Sequence, residues 1–137
     1  MPGVGSRPFS KADQVGESRV ARKLKARAAE ATATRTCYAI VNERDAYRCR
    51  ICQRAGNPHA ISLLARLHHH HLIYRSRGGD HVPEAVILIC ALCHDLVHVQ
   101  GTLRITGDAD ERDERGRLNG LRVDRLTEMG WQLERMR

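Results

Sequence analysis

The sequence predicts an α+β fold: a small cross-linked unit of two strands and one helix, with a basic N-terminal helical arm and a C-terminal β-hairpin. Three observations carry that expectation. Two C-x-x-C pairs, Cys49 with Cys52 and Cys90 with Cys93, bracket the middle of the chain. Around the second pair, a strand-like run, a turn-rich stretch, a second apolar run and a short helical pattern follow in order. Charge is uneven, at +5 over residues 1–36, +3 over 37–107 and −1 over 108–137. The organisation expected is an arm over residues 1–36, the central unit over 37–101 and an extension over 102–137.

A chain of 137 residues has room for one domain and an appendage. Only five aromatic residues (Phe9, Tyr38, Tyr47, Tyr74, Trp131) and a mean hydropathy of −0.47 leave little material for a large apolar core, so a cross-link or a metal is expected to contribute. A net charge of +7 favours an acidic partner such as nucleic acid over neutral substrates. No apolar run approaches the roughly 18–20 residues that cross a bilayer, so no membrane partner is expected. Residues 1–18 lack the apolar stretch of a secretory signal, and a cytoplasmic location is expected. In such a reducing compartment closely spaced cysteines act as metal ligands or redox groups more often than as disulfides.

The opening eight residues, rich in Gly, Pro and Ser, read as flexible, and residues 17–33 as helix from their density of Ala, Arg, Lys and Leu. Val20 and Leu24 are the larger apolar pair there, too few to bury much. Arg22, Lys23, Lys25 and Arg27 make this arm either a solvated helix or a contact for nucleic-acid phosphates. A second short helix is expected over residues 37–46. Residues 63–73 and 85–89 read as strands separated by Arg75-Ser76-Arg77-Gly78-Gly79-Asp80, and residues 93–100 as a helix stopped by Gly101. Residues 102–106 and 121–124 are expected to pair across a long polar loop. Trp131, with Leu126, Met129 and Leu133, is expected to pack against the body, and the acidic stretch 108–114 to avoid DNA.

The C-x-x-C spacing lets two thiolates grip one tetrahedral ion from a tight turn, and two such pairs supply four ligands. A structural Zn²⁺ held by Cys49, Cys52, Cys90 and Cys93 is the reading adopted. A redox role needs one pair beside a βαβ pattern, which is missing. The 37 residues between the pairs form an insert whose base the zinc would clamp. Cys37 is left over and reads as a buried thiol.

His68, His69, His70 and His71 run consecutively in a strand-like segment, where side chains alternate, so His69 and His71 share one face and His68 and His70 the other. The run alone is equally compatible with adventitious metal binding or an exposed strand surface. His94 and His98 stand one helical turn apart, a spacing that two imidazoles can use on one metal.

With these residues together, the sequence resembles the HNH endonucleases, the ββα-metal nuclease family. The resemblance runs through Glu43-Arg44-Asp45-Ala46-Tyr47-Arg48, Cys49-x-x-Cys52, His70-His71-Leu72-Ile73-Tyr74-Arg75-Ser76-Arg77-Gly78-Gly79 and Cys90-Ala91-Leu92-Cys93-His94-Asp95-Leu96-Val97-His98. It covers about residues 37–100. It implies a ββα unit, His71 as general base, and His70 and His94 as ligands of a catalytic Mg²⁺, Mn²⁺, Ni²⁺ or Zn²⁺. His98 matches a histidine that some members use as a further ligand. Arg75 and Arg77 would bind flanking phosphates.

What the resemblance implies is a metal-dependent DNA endonuclease, nicking or cutting both strands. A phage setting, with packaging or recombination proteins as partners, comes from the resemblance alone. The sequence leaves oligomeric state and sequence specificity open. One position departs from the family: where its central asparagine stands, the chain carries Ala85, and a methyl group can neither ligate a metal nor tie down a loop. Glu84 or Asp80 is a candidate substitute oxygen ligand. The alternative reading is therefore a catalytically impaired or inactive zinc-bearing DNA-binding module.

Overall fold

A computed structural model describes residues 16–73 and 80–134. The chain divides into two units, residues 1–32 and residues 33–137. A single helix, α1 (Arg19–Arg44), forms where two were expected over 17–33 and 37–46. The intervening Thr34-Arg35-Thr36 lowers helix propensity by only a few tenths of a kcal/mol per threonine. Burial of Cys37, Val41 and Asn42 further along the same helix outweighs that.

Each end of α1 has an identifiable stop. Ser18 Oγ accepts the backbone N–H of Ala21 at 3.1 Å, capping the first turn. At the other end, Tyr47 N–H reaches Asn42 O and Ala46 N–H reaches Glu43 O, both at 3.1 Å. This is a Schellman closure, in which glycine usually takes the left-handed position. Here that position is Ala46, at φ 51°, followed by Tyr47 at φ 53°. In the first unit Val20, Leu24, Arg22, Lys23, Lys25 and Arg27 are all exposed.

In the second unit, β1 (Leu67–His71) pairs antiparallel with β2 (Val86–Cys90), with His70 opposite Ile87 and His71 opposite Val86. The expected strand over 63–73 is shorter because a turn precedes it, where Ala65 N–H bonds Ser62 O at 3.1 Å and Leu63 and Leu64 stay exposed. Likewise β2 begins one residue later than expected, since Ala85 closes the 3₁₀ turn Pro83–Ala85. The helix α2 (Ala91–His98) starts directly at the end of β2, earlier than the expected residue 93, with Cys90 as its cap. Its last turn stops two residues short of the expected end.

The C-terminal part is a three-stranded antiparallel sheet in the order β3 (Leu103–Gly107), β4 (Leu121–Thr127), β5 (Gly130–Leu133). The expected hairpin is its β3–β4 half, and β5 adds a third strand. Gly107, at φ 109°, lies against the Gly120 carbonyl where no Cβ would fit. Trp131 sits on β5 half-buried, with the Arg104 guanidinium 3.9 Å above its ring.

The core lies on β2, buried along its whole length. Val86, Ile87, Leu88 and Ile89 meet Val41 from α1, Leu67 from β1, Leu103 and Ile105 from β3 and Val123 from β4. Each such side chain stabilises by about 1.5–3 kcal/mol relative to exposure. Next to them is a buried ionic node. Asp45 Oδ1 accepts from Arg44 Nε at 2.7 Å and Arg50 Nη1 at 2.9 Å, and Arg44 also donates to the Pro83 and Val86 carbonyls and to Asp110. The node thereby binds the end of α1, the first cysteine turn and both ends of the segment leading into β2. Among the described residues no helix is long and apolar enough to cross a membrane.

Candidate functional site

The first cysteine pair sits in a tight turn built by backbone bonds. Cys49 N–H donates to Arg54 O at 2.8 Å, Gln53 N–H returns to Cys49 O at 2.9 Å, and Cys52 N–H points at Cys49 Sγ from 3.5 Å. The second pair comes from the β2–α2 junction, with Cys90 as helix cap and Cys93 in the first turn. All four sulfurs lie within 4.8 Å of one another. Cys52 Sγ and Cys90 Sγ stand 3.6 Å apart. A tetrahedral ion with Zn–S bonds near 2.3 Å sets an S···S edge of about 3.8 Å, which this spacing fits. The Cys93 thiol bonds to Cys49 and lowers the Cys49 thiol, while Cys93 itself is raised by that sharing. Such a cluster is ready to exchange its protons for a dication. The four-cysteine cluster fits structural zinc. Cys37 lies apart from it, buried in the core.

Strand alternation sorts the histidine run onto two faces. On the α2 side, His68 stacks on His94 with ring centroids 4.8 Å apart, and His70 Nδ1 is 3.2 Å from His98 Nε2. His70, His94 and His98 each bring one ring nitrogen within 4.8 Å of the other two. Imidazoles sharing an ion at about 2.0–2.1 Å have nitrogens about 3.0–3.4 Å apart, which the His70–His98 pair matches. Burial pushes His70 down to about 4 and lowers His94, so both favour the neutral, ligating form at pH 7. Histidine nitrogens suit Zn²⁺ or Ni²⁺, and the exposed His98 leaves one side of the trio open.

On the α1 side, the His69 ring lies parallel to Tyr38 at 3.8 Å, and its Nε2–H donates to Asn42 Oδ1 at 2.7 Å. Burial lowers His69 to about 4. His71 is half-buried, with Nε2 3.2 Å from His81 Nδ1. Tyr38 presents its ring to both, at 6.4 Å from His71 and 5.9 Å from His81. Sequence reading missed Tyr38, Asn42 and His81. The first two had a signal: Cys37, Tyr38, Val41, Asn42 and Asp45 repeat at helical spacing along one face. His81 had none, being a lone histidine after a turn.

Ala85 is half-buried, and its carbonyl accepts Leu72 N–H at 2.8 Å. Glu84 and Asp80 are exposed, and neither belongs to the histidine trio. Arg75 and Arg77, with the rest of residues 74–79, lie outside the described residues, as do the first fifteen. A groove of about 410 Å³ opens beside His70, lined also by Leu72, Val97, Arg104, Ile105 and Trp131.

The HNH endonuclease family model matches residues 49–100, from the first cysteine of the cluster to just past His98. No curated protein and no solved structure matches the chain.

Proposed function

On the premise that residues 49–100 are an HNH endonuclease domain with a four-cysteine cluster, we propose that the chain is a metal-dependent DNA endonuclease. Family membership points to a phosphodiester hydrolase and to a nucleic acid as substrate. The observation that carries the finer reading is that His70, His94 and His98 converge on the α2 face of β1 while His71, the next residue along the strand, turns to the other side. A ligand set and a separate base are thus held one peptide bond apart.

In this reading His71 takes a proton from a water molecule, which attacks phosphorus as the P–O bond to the leaving oxygen breaks. An imidazole near neutrality can do this within one hydrogen bond. His70, His94 and His98 would hold a divalent cation, which would supply stabilisation of the negative charge growing on the phosphoryl and leaving oxygens. The chain contributes alignment: β1 carries both roles, and the zinc cluster anchors the α2 end of the trio. The exposed Arg22, Lys23, Lys25 and Arg27, together with Arg75 and Arg77, are the phosphate contacts of the proposal. A cytoplasmic setting remains part of it. A phage setting gains no support from the comparisons and is set aside.

One observation favours a second reading, the non-catalytic DNA-binding module: Ala85 offers no side-chain group beyond a methyl. The test is supercoiled-plasmid cleavage with Mg²⁺, Mn²⁺, Ni²⁺ or Zn²⁺, running the protein beside His71→Ala, His94→Ala and Ala85→Asn. Cleavage abolished in both histidine variants is the expected result. Cleavage by Ala85→Asn alone gives the second reading, with Ala85 as the disabling residue. Salt-sensitive DNA binding without cleavage by any form also gives the second reading, with the defect lying beyond Ala85.

A further inference from the structure

We infer that His81 is a positioning residue for His71, holding the imidazole in the tautomer that a general base needs. The inference rests on the reading of His71 as that base. Two imidazole nitrogens 3.2 Å apart form a hydrogen bond when one ring donates and the other accepts. When His71 donates Nε2–H to His81 Nδ1, the second nitrogen of His71 carries no proton and is the one able to take one. The same logic, a base oriented by a third group on its far nitrogen, recurs wherever a histidine must extract a proton.

The surroundings favour this division of labour. The two rings meet at 75° with centroids 5.0 Å apart, an edge-on approach that aims one nitrogen at the other. Tyr38 stands edge-on to both, at 63° to His71 and 75° to His81, and limits their rotation. His71 ends β1, and His81 precedes the 3₁₀ turn that leads into β2.

The experiment uses the full zinc-loaded chain with His81→Ala, His81→Asn, His71→Ala and the His71→Ala/His81→Ala double variant. Single-turnover cleavage of supercoiled plasmid in Mn²⁺ is measured with Mn²⁺ affinity, thermal midpoint and ¹⁵N shifts of the His71 ring. Expected in His81→Ala is a rate loss of at least about tenfold, and no more than the 10²–10⁴ that a general base contributes, at unchanged Mn²⁺ affinity. His81→Asn, whose amide oxygen can accept the same proton, restores the rate. Adding His81→Ala to His71→Ala changes the residual rate by less than about twofold, because the two act through one ring. The ring shifts place the proton on Nε2 of His71 in the wild-type protein and in His81→Asn, and lose that preference in His81→Ala.

A wild-type rate in His81→Ala overturns the inference, as does an equal loss in the His71→Ala background. A His71 proton on Nδ1 overturns it as well. If no form cleaves DNA with any metal, the nuclease reading fails, and the ring shifts alone then decide whether His81 sets the His71 tautomer.

Discussion

Asp45 Oδ2 accepts the backbone N–H of Leu88 at 2.8 Å, joining the residue that follows α1 to the middle of the most buried strand. The same carboxylate balances Arg44 and Arg50, and its side chain is completely buried. Removing it leaves the buried Arg50 guanidinium without its carboxylate and the Leu88 amide without an acceptor, while Arg44 keeps Asp110. Asp45→Ala is expected to cost about 3–5 kcal/mol, the usual loss when one partner of a buried pair is deleted. Asp45→Asn, which can still accept from Leu88, should lose less. Urea unfolding of the two variants checks the order, and equal losses would mean that the amide bond contributes nothing measurable.

Zinc removal should unfold the central unit rather than loosen it, because the cysteine cluster joins the first turn to the β2–α2 junction. Cys93→Ser is expected to lose tightly bound zinc and most of the cooperative thermal transition, whereas His94→Ala keeps both. Metal content by atomic spectroscopy, read beside circular dichroism, separates the two. Retention of zinc and a normal transition by Cys93→Ser would contradict a structural role for the cluster.

Ala46→Gly is expected to stabilise the protein. A left-handed residue with a Cβ costs roughly 1–2 kcal/mol, while glycine loses about 0.5–1 kcal/mol more chain entropy on folding. The difference favours glycine at φ 51° by about 0.5 kcal/mol. An upward shift of the urea midpoint at unchanged slope is the sign to look for, and a downward shift would mean that the Ala46 methyl makes a compensating contact.

Neutralising Arg22, Lys23, Lys25 and Arg27 together should leave the melting temperature unchanged, since all four are exposed. If each meets a phosphate, the salt slope of DNA binding falls by about 3–4, following −0.9 per contact. An unchanged slope assigns the arm to solvent.

Much of this architecture is legible in residue spacing. The C-x-x-C pairs and the His94/His98 step are local geometry, and a chain that obeys strand and helix periods can place those ligands in few ways. Alternation along β1 likewise separates His70 from His71 before any coordinates are known. Continuity of α1 is not legible, because two threonines look like a break until the burial of Val41 is weighed against them. Strand β5 is equally hidden. Its turn has no Asn-Gly signal and is closed instead by the Thr127 hydroxyl, which takes Met129 N–H at 3.1 Å and donates to Gly130 O at 2.9 Å. The His81 contact depends on how a loop returns, which no pattern of neighbouring residues encodes.

Nine consecutive residues, Cys90 to His98, carry two ligands of the cysteine cluster and two of the histidine trio. The two groups of ligands therefore share one short segment. On the proposed reading, zinc at the cysteines would also fix the helix that carries His94 and His98, so a newly made chain would gain its nuclease centre as metal reached it, and its competence would follow metal supply as well as translation.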